Sequence, residues 1–267
     1  MPEVKTAAAV RKTAKKPSIL KLIKIQRTSV HDGPGIRTTL FFQGCGLRCP
    51  WCQNPEGLPF ESERAADYSV DDLVRIINKD KNYYFSSGGG VTLSGGEPFL
   101  QPAEALISLL KELKKENINV AAETALNAPW ENIEKALPFI DLFYVDLKGA
   151  SGEKHKELTG SDGALVYENL KKLVEAGANI AFRMILVPGL NDSEENIAYV
   201  ASALASAGKS EIEIMKYHSM YESKADAMKI EYKKLGITDR RADEAVEEGI
   251  KAFQKFGIAA FCENLTP

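Results

Sequence analysis

The sequence predicts an α/β protein, an incomplete (β/α)6 TIM-like barrel, and two patterns carry that reading. Short β-branched or apolar runs alternate with amphipathic stretches of helical period, the mark of βαβ units with parallel pairing. Polar motifs gather at or just past the strand candidates' ends, where α/β barrels place their active-site groups. These are Cys45, Gly95-Gly96-Glu97, Glu123-Thr124, Asp146 to Lys148 and His218. A doubly wound open sheet fits the alternation almost as well. The convergence of the motifs on one mouth favours the barrel.

Leu20 to Gln26 (LKLIKIQ) reads as a first strand or hairpin arm. The strands that follow are expected at Thr38–Gln43, Val91–Leu93, Asn119–Ala122, Leu142–Asp146, Ile180–Val187 and Glu211–Lys216, with a short terminal strand at Ile258–Cys262. Between them, Ser69 can cap a helix carrying Val70, Leu73, Val74 and Ile77 on one face. Leu106, Leu109, Leu110 and Leu113 mark the next helix, then Ile133 and Leu137, then Leu170, Leu173 and Val174. Asp192 with Glu195 resembles a capping box leading into Ile197, Val200 and Leu204. Thr238 opens the last helix, with Val246, Ile250 and Phe253 inward. No linker divides the chain, so 18–267 is expected to form one domain.

Hydrophobic residues make up 44% of the chain and charged residues 27%, as suits a globular protein with a sizeable core. A net charge of -3 argues against a nucleic-acid-binding surface. No apolar run approaches the ~20 residues needed to cross a bilayer, and no signal-peptide core is visible, so a cytoplasmic protein is expected. Residues 1–17 set Lys5, Arg11, Lys12, Lys15 and Lys16 against Glu3 and hold few large apolar groups. That composition predicts a disordered basic tail; a transit peptide is the other reading.

Of the chain's four cysteines, Cys45, Cys49 and Cys52 fall within FFQGCGLRCPWCQNPEG. A tight cluster in a non-secreted chain points to metal rather than to disulfides. Three thiolates on one loop can hold three corners of an iron–sulfur cube, which leaves the fourth iron open to a substrate. A structural zinc site is the alternative, but such sites want four protein ligands. No second CxxC or CxxH pair exists, and His31, His155 and His218 are scattered. Cys262 alone reads as an inert buried side chain.

CGLRCPWC matches CxxxCxΦC, the signature of radical S-adenosylmethionine (SAM) enzymes, with Trp51 at the aromatic position. From about Ile23 onward the chain resembles the activating enzymes of glycyl radical enzymes, of which pyruvate formate-lyase activating enzyme is the type. SVHDGPGIRTTLFFQGC, GGGVTLSGGEP, DLKG, FRMILVPGLND and KYH follow in that family's order. The resemblance implies a radical SAM partial barrel with one [4Fe-4S] cluster on Cys45, Cys49 and Cys52. It assigns the methionyl ammonium of SAM to Gly95, Gly96 and Glu97. The SAM carboxylate goes to Lys148 at the end of Asp146-Leu147-Lys148, joined by Arg183, with a structural ion pair to Asp146 as the other reading, and the nucleoside to His218. Trp51, Cys52 and Gln53 would wall the adenine, mostly through backbone groups. Glu123, Thr124, the Tyr144 carbonyl and Asp146 match a monovalent cation site, and oxygen donors suit a hard cation. Asp32 and Arg37 of DGPGIR are candidates to bind the partner's loop, with a turn residue for Asp32 and a structural charge at the strand's start for Arg37 as the other readings.

The resemblance further implies the reaction. The cluster gives SAM one electron, yielding methionine and a 5′-deoxyadenosyl radical that abstracts a Cα hydrogen from a glycine of a partner enzyme. A radical SAM enzyme acting on a small molecule or peptide is the alternative, and a non-catalytic iron–sulfur or zinc module the other. Between Gln53 and Val91 there is no cysteine, hence no ferredoxin-like insert. A single-cluster enzyme of this type would take electrons from a separate flavodoxin or ferredoxin and work anaerobically, as a monomer.

Overall fold

The computed structural model describes residues 19–263; the tail expected over 1–17 lies outside them. Nine strands of the described residues form one sheet, and its central parallel strands are buried along most of their length, as in a sheet covered on both faces. The strands are β1 (Ile19–Ser29), β2 (Arg37–Phe42), β3 (Ala66–Ser69), β4 (Gly90–Gly95), β5 (Asn119–Thr124), β6 (Leu142–Asp146), β7 (Ile180–Leu186), β8 (Glu211–Lys216) and β9 (Ala259–Phe261). Their order is β3-β1-β2-β4-β5-β6-β7-β8-β9. From β2 through β9 the neighbours pair in parallel, while β1 joins β2 and β3 antiparallel. Edge strands β3 and β9 do not pair with each other, so the barrel is not closed. The six parallel strands expected from the sequence are there, and β9 extends their run.

The helices are α1 (Val70–Ile77), α2 (Lys81–Ser87), α3 (Ala103–Lys115), α4 (Trp130–Ala136), α5 (Glu153–Thr159), α6 (Ala164–Glu175), α7 (Glu194–Ser206), α8 (Met220–Met228) and α9 (Asp239–Lys255). Ser69 caps α1 by accepting from the Asp72 amide, and Thr238 caps α9 by accepting from the Arg241 amide, both as expected. For α7 the cap is Ser193 rather than Asp192. Asp192 Oδ1 instead accepts from the Gly189 amide and closes the turn before it. Leu106, Leu109, Leu110 and Leu113 of α3 join Val91, Leu93 and Val120 in the main core. A second, smaller core of Trp51, Leu158, Val187, Tyr217, Tyr221 and Ala242 lies beneath the cysteine loop. Strand β3 is absent from the sequence-based expectations. It is a four-residue edge with no buried residue, so it carries no alternation to read.

Candidate active site

The cysteine loop leaves the C-terminal end of β2 and is fastened mainly by main-chain hydrogen bonds. Gly44 N–H donates to Gly57 O at 2.7 Å, Cys45 N–H to Leu58 O at 3.2 Å and Arg48 N–H to Thr159 O at 2.6 Å. The end of β4 binds the same loop: Gly96 N–H reaches Phe42 O at 2.9 Å, and Glu97 N–H reaches Gly44 O at 2.8 Å. A Cβ on Gly96 would sit 2.2 Å from Gly44 O, and one on Gly95, at φ +92°, 2.5 Å from Phe42 N. The Gly-Gly pair therefore lets β4 approach the cysteine loop as closely as backbone permits.

Cys45, Cys49, Cys52, Trp51, Gln53, Gly95, Gly96, Glu97, Asp146 and Lys148 share one cavity of about 140 Å³. Burial pushes the free thiols up, Cys45 to about 11 and Cys49 to about 12, with Cys52 raised as well. Thiols in such surroundings keep their protons unless a metal replaces them, and iron does so. Among the described residues no three His, Cys, Asp or Glu side chains meet closely enough for a single ion. The thiols instead line a common space, as ligands to separate corners of a cube do. The donor set fits a [4Fe-4S] cluster.

Glu97 is 1% exposed and its carboxyl is raised to about 7, because burial penalises the charge. Thr124 Oγ1 donates to its Oε1 at 2.8 Å and the Ala125 amide to its Oε2 at 3.1 Å. The carboxylate retains acceptor capacity toward the cavity. Lys148 Nζ lies 3.2 Å from Asp146 Oδ2. Burial works against its charge, but Asp146 and Cys49 outweigh that and raise its pKa. An ammonium acceptor and a fixed cation thus face one space, which suits an amino acid zwitterion.

The remaining expected site residues divide. Gln53 Nε2 donates to the His218 carbonyl at 3.3 Å, so those two adjoin at the cavity's rim, with the His218 side chain exposed. Arg183 does not line the cysteine cavity. Its Nε donates to Asp146 Oδ1 at 3.1 Å and its Nη1 to Glu123 Oε1 at 3.0 Å, and its guanidinium lies 4.4 Å from the Tyr144 ring centre. The guanidinium thus bridges two of the acids expected to hold a monovalent cation. Thr124, which donates to Glu97, lines the cysteine cavity together with Glu123 and Asp146. Leu147 packs its side chain into the main core, and its amide donates to Arg183 O.

Arg37 proves structural rather than a partner-binding residue. It is wholly buried at the N-terminal end of β2, the end opposite the cysteines. Its Nε donates to Thr92 Oγ1 at 2.6 Å, its Nη1 to Pro34 O at 3.0 Å and its Nη2 to Val91 O at 2.7 Å. Asp32 stays partly exposed and accepts from Thr39 Oγ1. A second cavity, of about 480 Å³, opens at the seam between the β1–β2 connection and β6–β9; His31, Pro34, Tyr144, Glu213 and Phe261 line it. Sequence reasoning missed Lys224 of α8, whose ammonium ties Glu56, the Gln53 carbonyl and Asn54 of the cysteine loop. Nothing local marks that lysine, which is about 170 residues away from its partners.

The radical SAM superfamily domain matches residues 39–199, and the chain belongs to that superfamily. Within it the chain sits among the activating enzymes whose motifs it carries. Trans-4-hydroxy-L-proline dehydratase activating enzyme of Clostridioides difficile is 31% identical to it, over 87% of this chain and 95% of that one. Pyruvate formate-lyase-activating enzyme of Clostridium pasteurianum is 34% identical, over 86% and 97%. A solved domain of pyruvate-formate lyase-activating enzyme from Bacteroides vulgatus ATCC 8482 superposes with a TM-score of 0.52 at 27% identity, over 66% of this chain and 100% of that one.

Proposed function

We propose that this chain activates a glycyl radical enzyme of the pyruvate formate-lyase kind. The observation that carries the reading is the single cavity in which three thiols face Glu97 and Lys148 at the C-terminal ends of parallel strands. The cluster, when bound, supplies the electron that splits SAM into methionine and a 5′-deoxyadenosyl radical, which takes a Cα hydrogen from the partner's glycine.

This chain's own residues do the positioning. Glu97, ionised as the methionyl ammonium arrives, fixes that end of SAM. Lys148 neutralises the carboxylate end, while Asp146 holds the lysine in place. Gln53 and the His218 segment border the nucleoside side. Arg183 acts one step back, orienting Asp146 and Glu123. The unclosed seam gives a partner segment lateral room, with Asp32 beside it.

A separate flavodoxin or ferredoxin would deliver the electron to a monomer. Only one cysteine lies outside the cluster loop, which supports a single cluster. The alignment to the Clostridioides difficile relative spans 289 positions, more than this chain's length, so that relative carries segments this chain lacks. The test is anaerobic reconstitution and reduction, then mixing with SAM and a candidate glycyl radical enzyme. Stoichiometric 5′-deoxyadenosine with a glycyl EPR doublet on the partner is expected. SAM cleavage that leaves every candidate partner silent would move the reading to a small-molecule or peptide substrate.

A further inference from the structure

The indole Nε1 of Trp51 is buried without a hydrogen-bond partner, and the residue is 1% exposed. A buried donor left unpaired is costly, so its acceptor is to be sought in something the folded chain later receives. The three thiols narrow the search. Leu47 N–H points at Cys45 Sγ, 3.4 Å away. The Asn54 amide likewise serves Cys52. Cys49 has no such main-chain donor among the described residues, and it is the thiol packed against the small core that Trp51 anchors.

We propose that the Trp51 indole N–H donates a hydrogen bond to the Cys49 sulfur once the cluster is bound, and thereby raises the cluster's reduction potential. The proposal rests on the cluster reading above. A neutral thiol is a weak acceptor, whereas an iron-bound thiolate is a stronger one, so the bond belongs to the loaded protein. Reduction adds one negative charge to the cluster, and a donor aimed at sulfur stabilises the reduced form more than the oxidised one. With this bond each ligating sulfur has one N–H of its own. The SAM adenine is the competing acceptor. The nitrogen's shielding from solvent and the packing of Cys49 against the small core that holds Trp51 favour sulfur.

The chain's only other tryptophan is Trp130, at the start of α4. A Trp130→Phe protein carrying 15N-indole tryptophan isolates the one nitrogen in question. Pulsed EPR of its reduced cluster without SAM should show a 15N hyperfine coupling. No coupling, or coupling that arises only on adding SAM, overturns the proposal. Replacing Trp51 with benzothienylalanine keeps the ring shape and removes the N–H, and Trp51→Phe removes it more coarsely. Both should move the cluster's midpoint potential to more negative values at unchanged iron and sulfide content. An unchanged potential in the benzothienylalanine protein also overturns the proposal. Iron and sulfide analysis of the unaltered protein tests the cluster separately, and absence of the cluster there sinks both readings.

Discussion

Arg183 sits between Glu123 and Asp146 with 8% of its side chain exposed. Burial alone would weaken its charge; the two acids outweigh that and hold it protonated. Removing one member of a buried ion network strands the others, at about 3–5 kcal/mol. Arg183→Gln should therefore lower the Tm by roughly 10 °C in a thermal melt. It should also weaken SAM binding indirectly, through a loosened Asp146. Burial acts on Asp146 too, but Lys148 and Arg183 together hold its carboxyl below the ordinary value. Its stabilisation is complete above the usual Asp pKa near 3.8 and is lost as pH falls through the lower folded value. Glu97 has the opposite sign. Raised from 4.5 to about 7, it binds its proton more tightly folded than unfolded, so its contribution declines as pH climbs from 4.5 to 7. The decline is on the order of 3 kcal/mol. Denaturant titrations at pH 5 and pH 8 should show that component in the unaltered protein and not in Glu97→Gln.

The junction of β4 with the cysteine loop depends on backbone meeting backbone. Gly96→Ala would place its Cβ 2.2 Å from a carbonyl that has no flexible end to yield. The strand end and the loop must part, and iron and sulfide content after reconstitution should fall several-fold while the sheet's far-UV signal persists. The sequence announced this junction only halfway: Gly-Gly-Glu was legible as a functional turn, but the backbone the two glycines meet, at Phe42 and Gly44, was not, since it belongs to another strand end. Strand identity, the caps at Ser69 and Thr238 and the placing of Cys45, Glu97 and Lys148 were legible because each follows from local periodicity or motif. The distant partners of Arg37 and Lys224 were not, since they lie 54 and 171 positions away; Arg183 was legible as far as Asp146, but its second acid, Glu123, 60 positions off, was not. Charge in the sequence looks alike whether it faces solvent, a partner or a buried carbonyl.

At the scale of the molecule, the core and the site are separable. The main core runs through β1 to β8 and the helices that cover them, and no cysteine of the loop belongs to it. A chain with Cys45, Cys49 and Cys52 all changed to Ala should keep its circular dichroism spectrum while losing iron and all 5′-deoxyadenosine production. Hydrogen exchange should then rise across 44–58, the segment the cluster would stiffen, and little in β4 to β7. Because main-chain bonds anchor that segment, most residues between the thiols are released from the duty of holding it. Over evolutionary time such positions can drift. A lineage could then reshape the rim around Gln53 for a new client protein while inheriting its metal chemistry intact.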